Sequence, residues 1–179
     1  MLLGVAGSYL GLTFVSERLG RRERGGGGVL EGVALATLVA IGIGLHNLGE
    51  GLAIGSSFAL GELALGSFLI VGFMVHNVTE GLGIAAPIAE GTRVSLARLA
   101  GLAAIAGAPA IVGAWIGGFL TSDLLGVLFF AVATGAALQV VVEVGRYVAR
   151  RAPGGLRSGW VGGGFLAGIA VMYLTGLLV

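Results

Sequence analysis

The sequence predicts an all-α, polytopic membrane helix bundle, and two observations carry that prediction. Hydrophobic residues make up 56% of the 179 positions and charged residues only 11%, whereas a soluble domain has about 25% charged residues. Apolar runs of about twenty residues, the length that crosses a bilayer as a helix, recur along the chain. Residues 1–179 are therefore expected to form a single transmembrane domain.

Six of these runs are predicted as transmembrane helices. They cover roughly residues 2–19, 29–59, 63–88, 99–120, 124–146 and 160–179, and the second and third are long enough to tilt or to project beyond the hydrocarbon. Lysine is absent, and the ten arginines lie in or beside the first, third and fifth connections. The positive-inside rule makes those connections cytoplasmic. Both termini are therefore expected outside, and residues 18–28 are predicted as a basic, glycine-rich cytoplasmic loop.

Glycine and proline predict how these helices pack. The chain has 36 glycines, and spacings such as Gly113 to Gly117 allow membrane helices to approach closely; Gly159 to Gly163 and Gly164 to Gly168 repeat that spacing. At this glycine density the spacings indicate tight packing without defining a dimer face, so a homodimer is left open. Pro87 and Pro109 each free a backbone carbonyl four residues earlier, at Gly83 and Ile105.

A polar motif occurs twice inside the apolar sequence. The letters HNLGEG begin at position 46 and HNVTEG at position 76. A charged side chain at the centre of a membrane helix costs ~2.5–3.5 kcal/mol or more, so Glu50 and Glu80 need partners. Residues four apart on a helix have Cβ atoms about 5–6 Å apart, which brings His46 near Glu50 and His76 near Glu80.

The two motif helices are predicted to form an antiparallel hairpin that turns near Glu62. Residues at equal depth on this hairpin have numbers that add up to about 125, so His46 lies level with Glu80 and Glu50 with His76. Imidazole and carboxylate ligands suit Zn²⁺, Fe²⁺, Mn²⁺ or Co²⁺ and suit Cu⁺ poorly. Because each glutamate lies between a histidine and an asparagine, the pattern allows one ion or two.

The two motifs resemble those of a known protein family. HNLGEGLAIG and HNVTEGLGIAAP resemble the paired metal-binding helices of the ZIP family of divalent metal transporters, and in particular its bacterial-type branch. The resemblance covers most of the chain, because the basic loop before the first motif and the outside C-terminus also fit the family's topology. It implies a binuclear site whose ligands are His46, Asn47, Glu50, His76, Asn77 and Glu80.

Glu143 is a separate case. The ZIP resemblance implies that it is a further acidic metal ligand, in the stretch ATGAALQVVVEV. From the residues alone, an interfacial ion pair between Glu143 and Arg146 explains its position equally well.

Three features depart from the ZIP pattern. Gly49 stands where the family commonly has proline, and the predicted cytoplasmic loops contain no histidine. The family has eight membrane helices, whereas six are predicted here, as if two N-terminal helices were lacking. A truncated product, a fragment and a variant completed by another chain are all left open.

The resemblance implies a transporter that moves divalent metal toward the cytoplasm. Zn²⁺ is the expected substrate, Fe²⁺, Mn²⁺, Co²⁺ and Cd²⁺ are left open as alternatives to it, and no cofactor is expected. No enzymatic activity is expected either. The alternatives are an intramembrane metallohydrolase, although no HExxH motif is present, and a metal-binding membrane protein that does not transport. Metal ions and the lipid bilayer are the expected partners, without nucleic acid, in the plasma or inner membrane of a bacterium or archaeon.

Overall fold

The computed structural model describes residues 1–24, 30–89, 94–119 and 122–177. Within these ranges the chain forms six α-helices and one 3-10 turn, and no strand. The helices are α1 (Leu2–Arg24), α2 (Gly32–Ala59), α3 (Leu63–Ala89), α4 (Leu96–Phe119), α5 (Asp123–Arg151) and α6 (Gly159–Gly176), with the 3-10 turn at Gly155–Arg157. The all-α prediction is confirmed.

Five of these helices, α2 to α6, are long and apolar enough to cross a membrane. This is the architecture expected of an integral membrane protein. The first helix is not among the five, since its second half carries charged residues that include Glu17, Arg18 and Arg21. A sixth span and the outside location of both termini therefore stay predictions.

Two helices run further than their apolar segments. Residues 18–24 of the predicted cytoplasmic loop at 18–28 continue α1 as helix, because arginine, leucine and glutamate are good helix formers and need no apolar neighbours; the cytoplasmic location of this segment stays a prediction. The rest of that loop lies outside the described residues. At the other end of the chain, α5 continues to Arg151, whose guanidinium lies 2.7 Å from the carboxylate of Glu31 just before α2.

The second helix occupies the centre of the bundle. It packs against α3, α4 and α5, while α1 packs mainly on α5 and α6 contacts α3. Leu35, Leu38 and Val39 of α2 are almost wholly inaccessible to solvent. A Cβ at Gly66 of α3 would contact the ring of Phe58 near the end of α2, as expected for the predicted antiparallel hairpin.

Glycines hold α2 and α4 backbone to backbone. A Cβ added at Gly51 of α2 would collide with the Ala110 carbonyl, and one added at Gly113 of α4 would collide with the Leu48 carbonyl. The same holds for Gly117, so the close approach predicted from Gly113 and Gly117 is confirmed. The glycines of α6 behave differently, because nothing in the described structure lies within 4 Å of a Cβ at Gly159, Gly163, Gly164 or Gly168.

Both intrahelical prolines are accommodated without ending their helices. Pro87 lies near the end of α3, and Pro109 lies in the middle of α4. Around Pro109 the helix faces α2: a Cβ at Gly44 would contact the Ile105 carbonyl that this proline leaves without its helical partner.

Candidate metal centre

Four side chains from two helices converge in the middle of the bundle. His46 and Glu50 come from α2, and His76 and Glu80 come from α3. One ligand atom from each residue lies within 4.8 Å of the other three. In the described part of the chain, this is the group of histidine and acidic side chains that is compact enough to hold a metal ion. The predicted convergence of the two motifs is confirmed for these four residues.

Glu50 joins the two helices. His76 Nε2 and Glu50 Oε1 form a hydrogen bond of 2.6 Å, and His46 Nε2 lies 3.4 Å from the same oxygen. Glu50 and His76 therefore lie at the same depth on the two helices, as predicted. Both of these residues are buried, whereas the side chain of His46 is 33% exposed. The ring of Phe73 packs edge-on against His76, with 5.3 Å between ring centroids, and helps to hold the imidazole.

Around this group several potential ligand atoms are buried without a hydrogen-bond partner. They are His46 Nδ1, Asn47 Oδ1, Asn77 Oδ1 and Glu80 Oε2. Leaving a buried polar group unsatisfied costs about 1–3 kcal/mol, so unpartnered atoms on these residues are costly for a purely structural cluster. The three oxygen atoms accept no hydrogen bond and have lone pairs to donate, which is the property that a bound cation requires. The predicted ligand residues therefore fit a metal ion.

Two clefts border the group, each with a volume of about 260 Å³. One cleft, between α2, α3 and α4, is lined by Asn47, Asn77 and Glu80. The other, between α2, α3 and α5, is lined by His46, Thr79 and Glu80. Glu80 therefore shares one cleft with the amide oxygens of Asn47 and Asn77 and the other cleft with the imidazole of His46. This arrangement has room for one ion or for two ions that share carboxylates.

Glu143 lies elsewhere. Its Oε1 accepts hydrogen bonds from Ser16 Oγ at 2.9 Å, Gln139 Nε2 at 3.2 Å and Arg146 at 3.2 Å. Val140 of α5 lies beside Gly42 of α2, and the two helices are antiparallel. Measured along the helix axis, Glu143 therefore lies about 10 Å from the level of His46.

Of the seven predicted site residues, the structure thus brings six to one region and places the seventh in a separate polar cluster. The ion pair with Arg146, the alternative explanation for Glu143, is present. The ligand role of Glu143 stays a prediction.

Comparison with known proteins does not identify the family of this chain. No family model, curated protein or solved structure that was compared matches this chain. Membership of the ZIP family therefore stays a prediction that depends on the repeated motif and on what can be argued from its geometry.

The charge of the four-residue group suits a divalent cation. Metal ligands must be deprotonated to coordinate, so a loaded site has two carboxylates and two neutral imidazoles. With one divalent ion these charges add up to zero, which a membrane interior tolerates far better than a net charge. Nitrogen and oxygen ligands without thiolates favour borderline and hard divalent ions.

Sequence reasoning missed two buried polar residues, Ser16 and Gln139. Gln139 is 1% exposed and Ser16 is 8% exposed, and both bond to Glu143. The position of Gln139, one helical turn before Glu143 in an apolar span, was a signal that could have found it, because residues four apart share a helix face. Ser16 gave no such signal, since its partner is on a helix distant in sequence.

Proposed function

We propose that this protein is a divalent metal transporter, with Zn²⁺ as its expected cargo, that carries metal toward the predicted cytoplasmic side. One observation carries the proposal: His46, Glu50, His76 and Glu80 converge from two helices that are each long and apolar enough to cross a membrane. The unpaired ligand atoms around that group support metal binding in preference to a simple salt bridge.

The depth of the group supports a transport role. His46 lies near the middle of α2 and His76 near the middle of α3, each thirteen or fourteen residues from either helix end, which is about 20 Å. Ionisable groups at the membrane midplane are costly, and where they occur they usually mark an ion or substrate pathway. Substrate sites of secondary transporters lie at this depth, where they are reachable from either side in turn.

The two clefts support a route from this depth toward one side. Glu80 lines both clefts, and their other lining residues include Val39 of α2 in one cleft and Leu99 of α4 in the other. Both of these lie toward the starts of α2 and α4, which run in the same direction. The start of α2 lies at the same end of the bundle as Arg151, and the arginines mark the predicted cytoplasmic side. The direction of release would follow from these clefts.

Uptake into liposomes tests the proposal. Purified protein is reconstituted into vesicles that contain a zinc-sensitive dye, and Zn²⁺ is added outside. We expect uptake that saturates with Zn²⁺ concentration, that is lost in Glu50→Gln and that is retained in Glu62→Gln, whose carboxylate is exposed at the hairpin turn. Zinc binding without uptake would contradict transport and favour a metal-binding protein that does not transport. Hydrolysis of lipid or peptide by the zinc-loaded protein would favour the metallohydrolase instead.

A further inference from the structure

The amide of Asn47 is fixed by a helix outside the motif hairpin. Asn47 Nδ2 donates a hydrogen bond to the backbone carbonyl of Ala106 on α4 at 3.1 Å. A carbonyl can only accept, so this bond determines which end of the amide faces α4. The other end, Asn47 Oδ1, is buried without a partner, and the residue lines the same cleft as Asn77 and Glu80. The bond to α4 therefore leaves the amide oxygen available to an ion in that cleft.

The distance between α2 and α4 at this point is set by Gly44 and Pro109. A Cβ at Gly44 would collide with the Ile105 carbonyl and would lie 3.2 Å from Pro109 Cγ. Gly44 precedes Asn47 by three residues, so both are on the face of α2 that meets α4. Because Pro109 has no N–H for the Ile105 carbonyl, that oxygen can face Gly44 while the next carbonyl, Ala106, accepts from Asn47.

We propose that Gly44 and Pro109 are positioning residues for metal binding: together they bring the Ala106 carbonyl to the distance at which it orients Asn47 as an oxygen ligand. The inference rests on the proposed metal-binding function, and it adds a role for α4, which contributes none of the four converging side chains. Groups that hydrogen-bond to a metal ligand without contacting the metal typically change metal affinity by about 10–100-fold when they are removed.

A matched pair of glycine variants separates positioning from packing. Gly44→Ala and Gly55→Ala place the same methyl group against the α4 backbone, at the Ile105 and Ala114 carbonyls respectively. Gly55 is eight residues beyond Asn47, about 12 Å along the helix. Both variants should lower the unfolding temperature of the metal-free protein by similar amounts. Only Gly44→Ala should weaken Co²⁺ and Zn²⁺ binding, by about 10–100-fold, and change the visible absorption spectrum of bound Co²⁺.

A double-mutant cycle tests the path through Asn47. If Gly44 acts by orienting Asn47, then Gly44→Ala combined with Asn47→Ala should bind metal no more weakly than Asn47→Ala alone. Additive losses, or equal losses of affinity in Gly44→Ala and Gly55→Ala, would overturn the positioning role while leaving metal binding intact. Absence of metal binding by the wild-type protein would overturn the proposed function and this inference together.

A second variant covers the case in which Gly44→Ala fails to fold. Pro109→Ala removes atoms from the same contact and returns an N–H to the Ile105 carbonyl, so it should also weaken metal binding and alter the Co²⁺ spectrum. Pro87→Ala in α3 is its control, because it makes the same chemical change near the end of a helix, eleven residues from His76. Unaltered Co²⁺ affinity and spectrum in Pro109→Ala would contradict the proposal.

Discussion

Replacing His46 and His76 together by alanine should remove high-affinity metal binding. They are the chain's two histidines, and cysteine is absent, so the double variant has no imidazole or thiolate ligand left. Groups that merely orient a ligand contribute about 10–100-fold to affinity, so the loss of two ligands should weaken binding by at least ~10²-fold. At free Zn²⁺ of 100 times the wild-type Kd, binding stabilises the folded protein by ~2.7 kcal/mol, whereas a site 100-fold weaker gives ~0.4 kcal/mol.

The assay is thermal unfolding of chelator-treated protein in detergent, with and without Zn²⁺, together with a count of bound zinc per chain. The wild-type protein should unfold at a clearly higher temperature with zinc, and the double variant should show almost no difference. Glu62→Gln and Asp123→Asn are the controls, since both carboxylates are exposed and outside the four-residue group. An unchanged zinc count in the double histidine variant would refute the assignment of the site.

Three further predictions concern the polar cluster around Glu143, the metal selectivity and the pH dependence of metal binding. Glu143→Gln should leave the zinc count unchanged but destabilise the protein by about 1.5–3 kcal/mol, because it weakens buried hydrogen bonds to a charged group; loss of one zinc per chain in metal analysis would instead support the ligand role that the ZIP resemblance implies. Zn²⁺ should displace Mn²⁺ in competition dialysis, and displacement of Zn²⁺ by Cu⁺ at equal concentration would contradict the nitrogen and oxygen ligand set. Metal affinity should fall as the pH falls, because protons compete for the ligands; calorimetry in buffers of different ionisation enthalpy counts the protons released on loading, and a count of zero near pH 6 would contradict this expectation.

The geometry of the motif hairpin could be predicted from the sequence because local rules determine most of it. The i, i+4 spacing of His46 and Glu50 gives one side of the site. The short connection around Glu62 gives an antiparallel partner, and the equal distance of both motifs from that turn gives the register. The contact between Glu50 and His76 follows from these rules, and it is the hydrogen bond that the structure contains.

The contacts made by other helices could not be predicted in the same way. Glycine content indicates that helices approach closely, but the sequence does not say which helix approaches which, so the contact of Gly44 with Pro109 was not foreseen. The surroundings of Glu143 depend on Ser16, more than a hundred residues earlier. The helix α1 extends beyond the predicted apolar span at 2–19, because hydropathy marks where a segment leaves the membrane, whereas helical propensity determines where the helix itself ends.

The two halves of the metal site differ in how freely their surroundings can vary. Glu50 belongs to α2, which is enclosed by three other helices, so most changes around it meet a packed backbone. His76 belongs to α3, where Met74, Val78 and Leu82 are exposed on the apolar outer face and are covered by nothing in the described part of the chain. A saturation mutagenesis library should therefore tolerate many substitutions on the exposed face of α3 and few on α2. The duplicated motif would then combine one half whose surroundings hold the bundle together with another whose surroundings are free to vary.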